Sequence, residues 1–67
     1  EDIKKLLRVI DAHLTGQERQ VILLRYGLGG HSAQRQRQVA QTIGVSRSYV
    51  SRIEKRALEK LRQALLS

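Results

Sequence analysis

Apolar residues recur along this chain at helical spacing four times, and strand-type alternation appears nowhere. Ile3, Leu6, Leu7 and Ile10 follow the i, i+3, i+4, i+7 pattern and predict a first helix that Leu14 and Thr15 break. Thr15-Gly16-Gln17-Glu18 reads as a capping box, with the hydroxyl accepting from the Glu18 amide while the carboxylate reaches back. A second helix then carries Val21, Ile22, Leu24 and Arg25, and Gly27 supplies its left-handed stop. Gly29-Gly30 extends the break into a loop. A short third helix is expected to start around residues 32–35, to carry Val39, Ala40 and Ile43, and to end at Gly44. Ser46 is a good N-cap for a fourth, uninterrupted helix to about Leu66, roughly 30 Å long at 1.5 Å per residue. The fold class expected is all-α: one small four-helix domain over residues 1–67 with a long C-terminal helix.

The segment from about 35 to 56 carries the most specific pattern. Val39 and Ile43 lie four apart on one face, as a buried stripe requires. Ala40 is small where a following helix must cross closely, and Gly44 sits where the turn needs positive φ. Val45 plugs the corner, Ser46 caps the next helix, and Val50 and Ile53 close the same core. Two helices joined this way form a helix-turn-helix, whose second helix reads DNA in the major groove. At 100° per residue, Val50, Ile53, Ala57, Leu61 and Leu65 fall within about 60° of Val50 and form the expected core stripe. Ser48, Ser51, Arg52, Lys55, Glu59 and Arg62 gather opposite. Arg47 lies between, but in the first turn, where a long side chain projects off the helix end.

Charge agrees with that assignment. The chain has 67 residues, 13 Lys+Arg against 6 Asp+Glu, and a formal net charge of +7. Residues 1–31 carry five basic residues against four acidic ones, and residues 32–67 carry eight against two. A one-sided basic surface is the footprint of a polyanion binder. With no Cys, disulfides, thiolate zinc sites and Cys nucleophiles are excluded. The longest apolar run, Val21 to Leu24, is far short of the ~20 residues that span a bilayer, so no membrane partner is expected. His13 and His31 have no second ligand set nearby, no cofactor is expected, and no constellation supports catalysis. Gly27 to Gly30 follows a helix rather than a strand and lacks a Lys-Ser/Thr tail, which argues against a P-loop. The absence of an initiator Met points to a piece of a larger, intracellular protein.

First residues of a docked second helix reach base edges, so Arg47, Ser48, Ser51 and Arg52 are the base-reading candidates. Arg bonds guanine O6 and N7 together, and a Ser hydroxyl donates or accepts. Arg35, Arg37, Lys55 and Arg56 are assigned to phosphates, which position the protein without reading sequence. Arg25 joins them as a weaker candidate, since a carboxylate is its alternative partner. Tyr49 either contacts the DNA backbone or a thymine methyl, or packs beside the turn. Glu54 falls near the core edge of the fourth helix and suits a structural ion pair with an Arg.

Leu14-Thr15-x-x-Glu18-x-x-Val21-Ile22-x-Leu24-Arg25-Tyr26-Gly27-Leu28 is followed by the helix-turn-helix and then by Ser51-Arg52-Ile53-Glu54-x-x-Ala57-Leu58-x-Lys60-Leu61-Arg62. These blocks, in this order over nearly the whole chain, resemble domain 4 of bacterial RNA polymerase sigma factors. The stretch Gly44 to Leu58 is most similar to the mother-cell type of sporulation sigma factor. The resemblance implies a domain that reads the minus-35 promoter element of duplex DNA while docked on the β-subunit flap of the RNA polymerase core, in the bacterial cytoplasm at the nucleoid. It puts Arg47 at the family's main base-reading position, and Arg35 where the family often has Thr, at a backbone contact. Ser48, Ser51 and Arg52 fall where housekeeping factors commonly carry Glu, Arg and Gln, which implies a different preferred sequence. Exposed apolar residues of the first two helices, among Leu6, Leu7, Leu23, Leu24 and Leu28, would face the flap. Two other readings stay open: a protein-interaction module whose basic helix grips an acidic partner such as an anti-sigma factor, and an unrelated dimeric helix-turn-helix repressor.

Overall fold

The computed structural model describes residues 2–66 and contains four helices: α1 Asp2–His13, α2 Gly16–Tyr26, α3 Gln36–Ile43 and α4 Arg47–Leu66. Local chemistry sets each boundary. The Glu18 amide donates to Thr15 Oγ1 at 3.3 Å and the Thr15 amide to Glu18 Oε1 at 3.0 Å, so the expected capping box opens α2. Gly27 closes it in the left-handed region (φ 66°), where a Cβ would lie 2.8 Å from the Ala33 amide nitrogen. Here the requirement for glycine is both conformational and steric. At Gly44 (φ 78°) nothing lies within 4 Å of a built Cβ, so backbone conformation alone selects it. The Tyr49 amide donates to Ser46 Oγ at 3.1 Å, which caps α4 as expected.

Helix α3 starts at Gln36, just after the expected 32–35 window. Arg35 holds the cap position, and its amide donates to Gln38 Oε1 at 2.9 Å. A guanidinium has no acceptor atom, so Arg35 cannot return the bond as Thr15 does.

Helix α4 packs against all three other helices, and two clusters meet along it. Val21, Leu24, Val39, Ala40, Val50 and Ile53 form the core of the helix-turn-helix, with Ile43 and Val45 against it. Ile10, Ile22, Ala57 and Leu61 form the second, which α1 covers with Leu6, Leu7 and Val9. Helix α2 serves both because Val21 and Leu24 face one cluster and Ile22 the other. The apolar stripes end sooner than their periodicity implies. Ile3 is 63% exposed and Leu65 49%, since each lies in an end turn that no other helix fully covers. Glu18 is buried at the α2–α4 crossing, where Lys60 Nζ approaches Oε1 to 2.9 Å. Burial pushes this carboxyl up. The Thr15 amide, the Lys60 ammonium and the Thr15 hydroxyl together outweigh burial, and its pKa lies below the usual value.

Candidate nucleic-acid interface

Ser46 ends the turn, so α4 begins abruptly, and its first residues stand clear of the core that Val50 and Ile53 enter. Arg47, Ser48, Ser51 and Arg52 are all exposed. With Gln36 from the first turn of α3 they line one open cleft of about 330 Å³. A second cleft, about 400 Å³, is lined by Arg25, Arg35, Gln36, Arg37 and Arg47. Arg47 and Gln36 belong to both, so the two clefts adjoin at the junction of α3 and α4. No carboxylate lines either one. Among the described residues Arg35, Arg37, Arg47, Arg52, Lys55 and Arg56 make no ion pair, whereas Arg19, Lys60 and Arg62 do. The positive charge at this face is therefore available to an outside anion.

Arg25 takes the carboxylate partner that was its alternative to a phosphate. Its Nε lies 3.4 Å from Glu54 Oε1, its Nη1 donates to the Gln34 carbonyl at 3.4 Å, and its guanidinium sits 5.5 Å from the Tyr26 ring centroid. It is nonetheless one-third exposed and lines the arginine cleft. Glu54 takes its Arg partner as expected, and the carboxylate gathers more. Tyr26 donates its hydroxyl at 2.6 Å and Gln36 Nε2 donates at 2.9 Å. The hydrogen bond to Glu54, then burial, then the charge of Glu54 push the Tyr26 hydroxyl above its ordinary pKa, against the smaller opposing effect of Arg25.

The remaining candidates stand apart from the clefts. The Tyr49 hydroxyl donates to Gln17 Oε1 at 3.3 Å, so this side chain reaches across to the start of α2. Lys55 and Arg56 are exposed farther along α4 and line neither cleft. Gln36 was not among the sequence-derived candidates. Its only sequence signal is its place in the alternating Gln-Arg stretch from Gln34 to Gln38, which by itself distinguishes none of those residues.

A third concavity has opposite chemistry. An apolar groove of about 430 Å³ runs between α1, the end of α2 and the second half of α4. Leu6, Ile10, Ile22, Tyr26, Leu28, Leu58, Leu61 and Leu65 line it together with one charged residue, Arg62. Of the leucines offered to a partner from the first two helices, Leu6 and Leu28 face this groove, Leu24 is buried, and Leu7 and Leu23 pack half-buried on the second core. Helix α4 contributes Leu58 and Leu65, at 41% and 49% exposure, so the groove is broader than the first two helices alone. No group of His, Asp and Glu among the described residues is arranged to hold a metal, and no helix among them is long and apolar enough to cross a membrane.

The family model for sigma-70, region 4 matches residues 12–63, from the end of α1 through most of α4. This chain belongs to the sigma-70 region 4 family. It is 48% identical over 61 residues to the RNA polymerase sigma-28 factor of Bacillus thuringiensis subsp. kurstaki, covering 91% of this chain and 24% of that protein. It is 47% identical over 60 residues to the RNA polymerase sigma-K factor of Bacillus subtilis, covering 90% and 20%. With the RNA polymerase sigma-E factor of Clostridium acetobutylicum it shares 39% over 62 residues, covering 92% and 26%. The similarity to mother-cell sporulation factors is thereby borne out, with sigma-K and sigma-E factors among the relatives. The chain spans about a quarter or less of the length of these relatives. No solved structure gives a significant match.

Proposed function

We propose that this region 4 domain reads the minus-35 element of a bacterial promoter and helps to hold RNA polymerase there, as the DNA-binding end of a sigma factor. The observation that carries the reading is the cleft at the start of α4, where Arg47, Ser48, Ser51 and Arg52 stand exposed with no carboxylate among them. A helix with its side chains is about 10–12 Å across, and the major groove of B-DNA is about 12 Å wide. Docking α4 by its first two turns brings these four side chains to base edges. Arg35 and Arg37 beside them, and Lys55 and Arg56 along the helix, then fall to the phosphates. Arg25 joins at the arginine cleft with part of its charge engaged by Glu54. Tyr49, exposed in the first turn of α4 with its hydroxyl bonded to Gln17, is a further backbone candidate. The Ser48, Ser51 and Arg52 set favours a minus-35 sequence other than the housekeeping one.

The apolar groove is the surface we assign to the β-subunit flap of the polymerase core. It is lined mainly by apolar side chains, it includes the second half of α4, and it shares no residue with the two clefts. Both partners can therefore be bound together, in the cytoplasm at the nucleoid.

Arg47→Ala should relax discrimination at one base position, whereas Arg37→Ala should weaken all duplexes about equally. Competition binding with single-position duplex variants measures both. The same uniform loss from both substitutions would show that Arg47 is not a base reader. Sedimentation adds a check on the repressor reading, since a sigma domain should be monomeric and a self-contained repressor dimeric.

A further inference from the structure

The Glu54 carboxylate lies in the interior at 8% side-chain exposure and is met by three side chains. Its Oε2 accepts from Tyr26, and its Oε1 accepts from Gln36 Nε2 and faces Arg25 Nε. Carboxylate oxygens only accept, so the NH₂ end of the Gln36 amide is the end turned inward. The amide is planar, and its carbonyl oxygen is therefore held away from Glu54. That oxygen accepts no hydrogen bond among the described residues. Gln36 lines both clefts, and around it Arg47 and Arg52 offer donors while Ser48 and Ser51 offer hydroxyls. A carbonyl here has nothing to offer a phosphate, which is itself an acceptor. It matches a base amino group in the major groove, N6 of adenine or N4 of cytosine.

We propose that Gln36, oriented by Glu54, is a fifth base-reading residue whose amide carbonyl accepts from the exposed amino group of an adenine or a cytosine. The inference rests on the DNA-reading role proposed above and adds a preference the arginines cannot supply, since guanidinium groups recognise acceptor atoms such as those of guanine. Glu54 is a positioning residue in this scheme. It touches no base, and it fixes which end of the amide faces outward.

The test is selection of bound sequences from randomised duplexes by the full 67-residue chain, at low salt so that phosphate contacts retain the complex. Circular dichroism melting checks that each variant folds. The parent chain should enrich adenine or cytosine at one position of one strand. Gln36→Met keeps the side-chain length and removes donor and acceptor. It should lower enrichment at that position about tenfold and leave the positions read by the arginines in place. Gln36→Asn keeps the amide but withdraws it by one methylene, and should lose the same position if Gln36→Met fails to fold. Glu54→Gln presents an amide that Gln36 can meet either way round, so it should blur that position and no other. An unchanged profile in Gln36→Met, or an equal fall at every position, would overturn the proposal and leave Gln36 as a tether for Glu54. If the parent chain enriches no sequence at all, the DNA-reading role fails, and this inference falls with it.

Discussion

Glu18 is 3% exposed, yet its carboxylate accepts from the Thr15 amide and from the Lys60 ammonium 2.9 Å away, while its own amide donates to the Thr15 hydroxyl. A buried charge paired in this way favours the folded state as long as it stays ionised. Its folded pKa lies below the unfolded value. The stability it contributes is therefore fully present above the unfolded pKa and is lost as pH falls through the folded one. Thermal melts between about pH 6 and pH 3 should show a falling melting temperature in the parent chain. Glu18→Gln should start lower and fall less over the same window, because the group that titrates is gone. A parallel pair of curves would show that other carboxyls govern the acid limb. Lys60→Met should destabilise at neutral pH more than Arg62→Met does. Lys60 leaves a buried partner behind, whereas Arg62 pairs with Glu59 at the surface (side chains 66% and 53% exposed).

The two left-handed glycines separate backbone strain from crowding at the scale of helices and turns. Gly44→Ala introduces only the conformational cost, on the order of 1–2 kcal/mol, because no atom stands in the way of the new Cβ. Gly27→Ala adds a collision with the Ala33 backbone, so it should lower the midpoint of urea denaturation clearly further than Gly44→Ala. These features were legible in the sequence because they are local. A cap residue, a stop glycine and an apolar repeat each act within four or five positions, and all four helices follow from them. Where a feature depends on distant partners, the chain alone is silent. Ile3 and Leu65 satisfy the helical repeat, but no neighbouring helix fully covers their turns. The start of α3 lies just past the expected window, with Arg35, which has no acceptor, at its cap position. Arg47, Ser48, Ser51 and Arg52 emerge together as expected, since one helix and its cap place them all. Gln36 and Tyr26 meet Glu54 across 18 and 28 residues, so no spacing rule connects them. The place of Glu54 near the core edge of α4 points to an Arg partner without identifying Arg25, and it cannot supply the other two.

Viewed as a whole, the molecule hangs two surfaces of opposite chemistry on one helix. The first two turns of α4 and the start of α3 carry unpaired arginines, while Leu58, Leu61 and Leu65 of its second half line the apolar groove. Electrostatic and apolar contacts respond differently to salt, and this separates the two surfaces experimentally. If Arg25, Arg35, Arg37, Lys55 and Arg56 neutralise about five phosphates, log K for a duplex should fall with log salt at a slope near −4 to −5. Arg56→Ala should flatten that slope by about one. Leu58→Gln should leave the slope unchanged, because its side chain lines the groove and touches neither cleft. Residue 58 is already 41% exposed, so this substitution should cost the fold little. It should weaken binding to an isolated β-flap fragment, and that binding should vary little with salt. Titrations of one chain with both ligands, across the same salt series, measure all of these outcomes. A Leu58→Gln variant that loses duplex binding, or an Arg56→Ala variant that loses the flap fragment, would mean that the halves of α4 do not act separately.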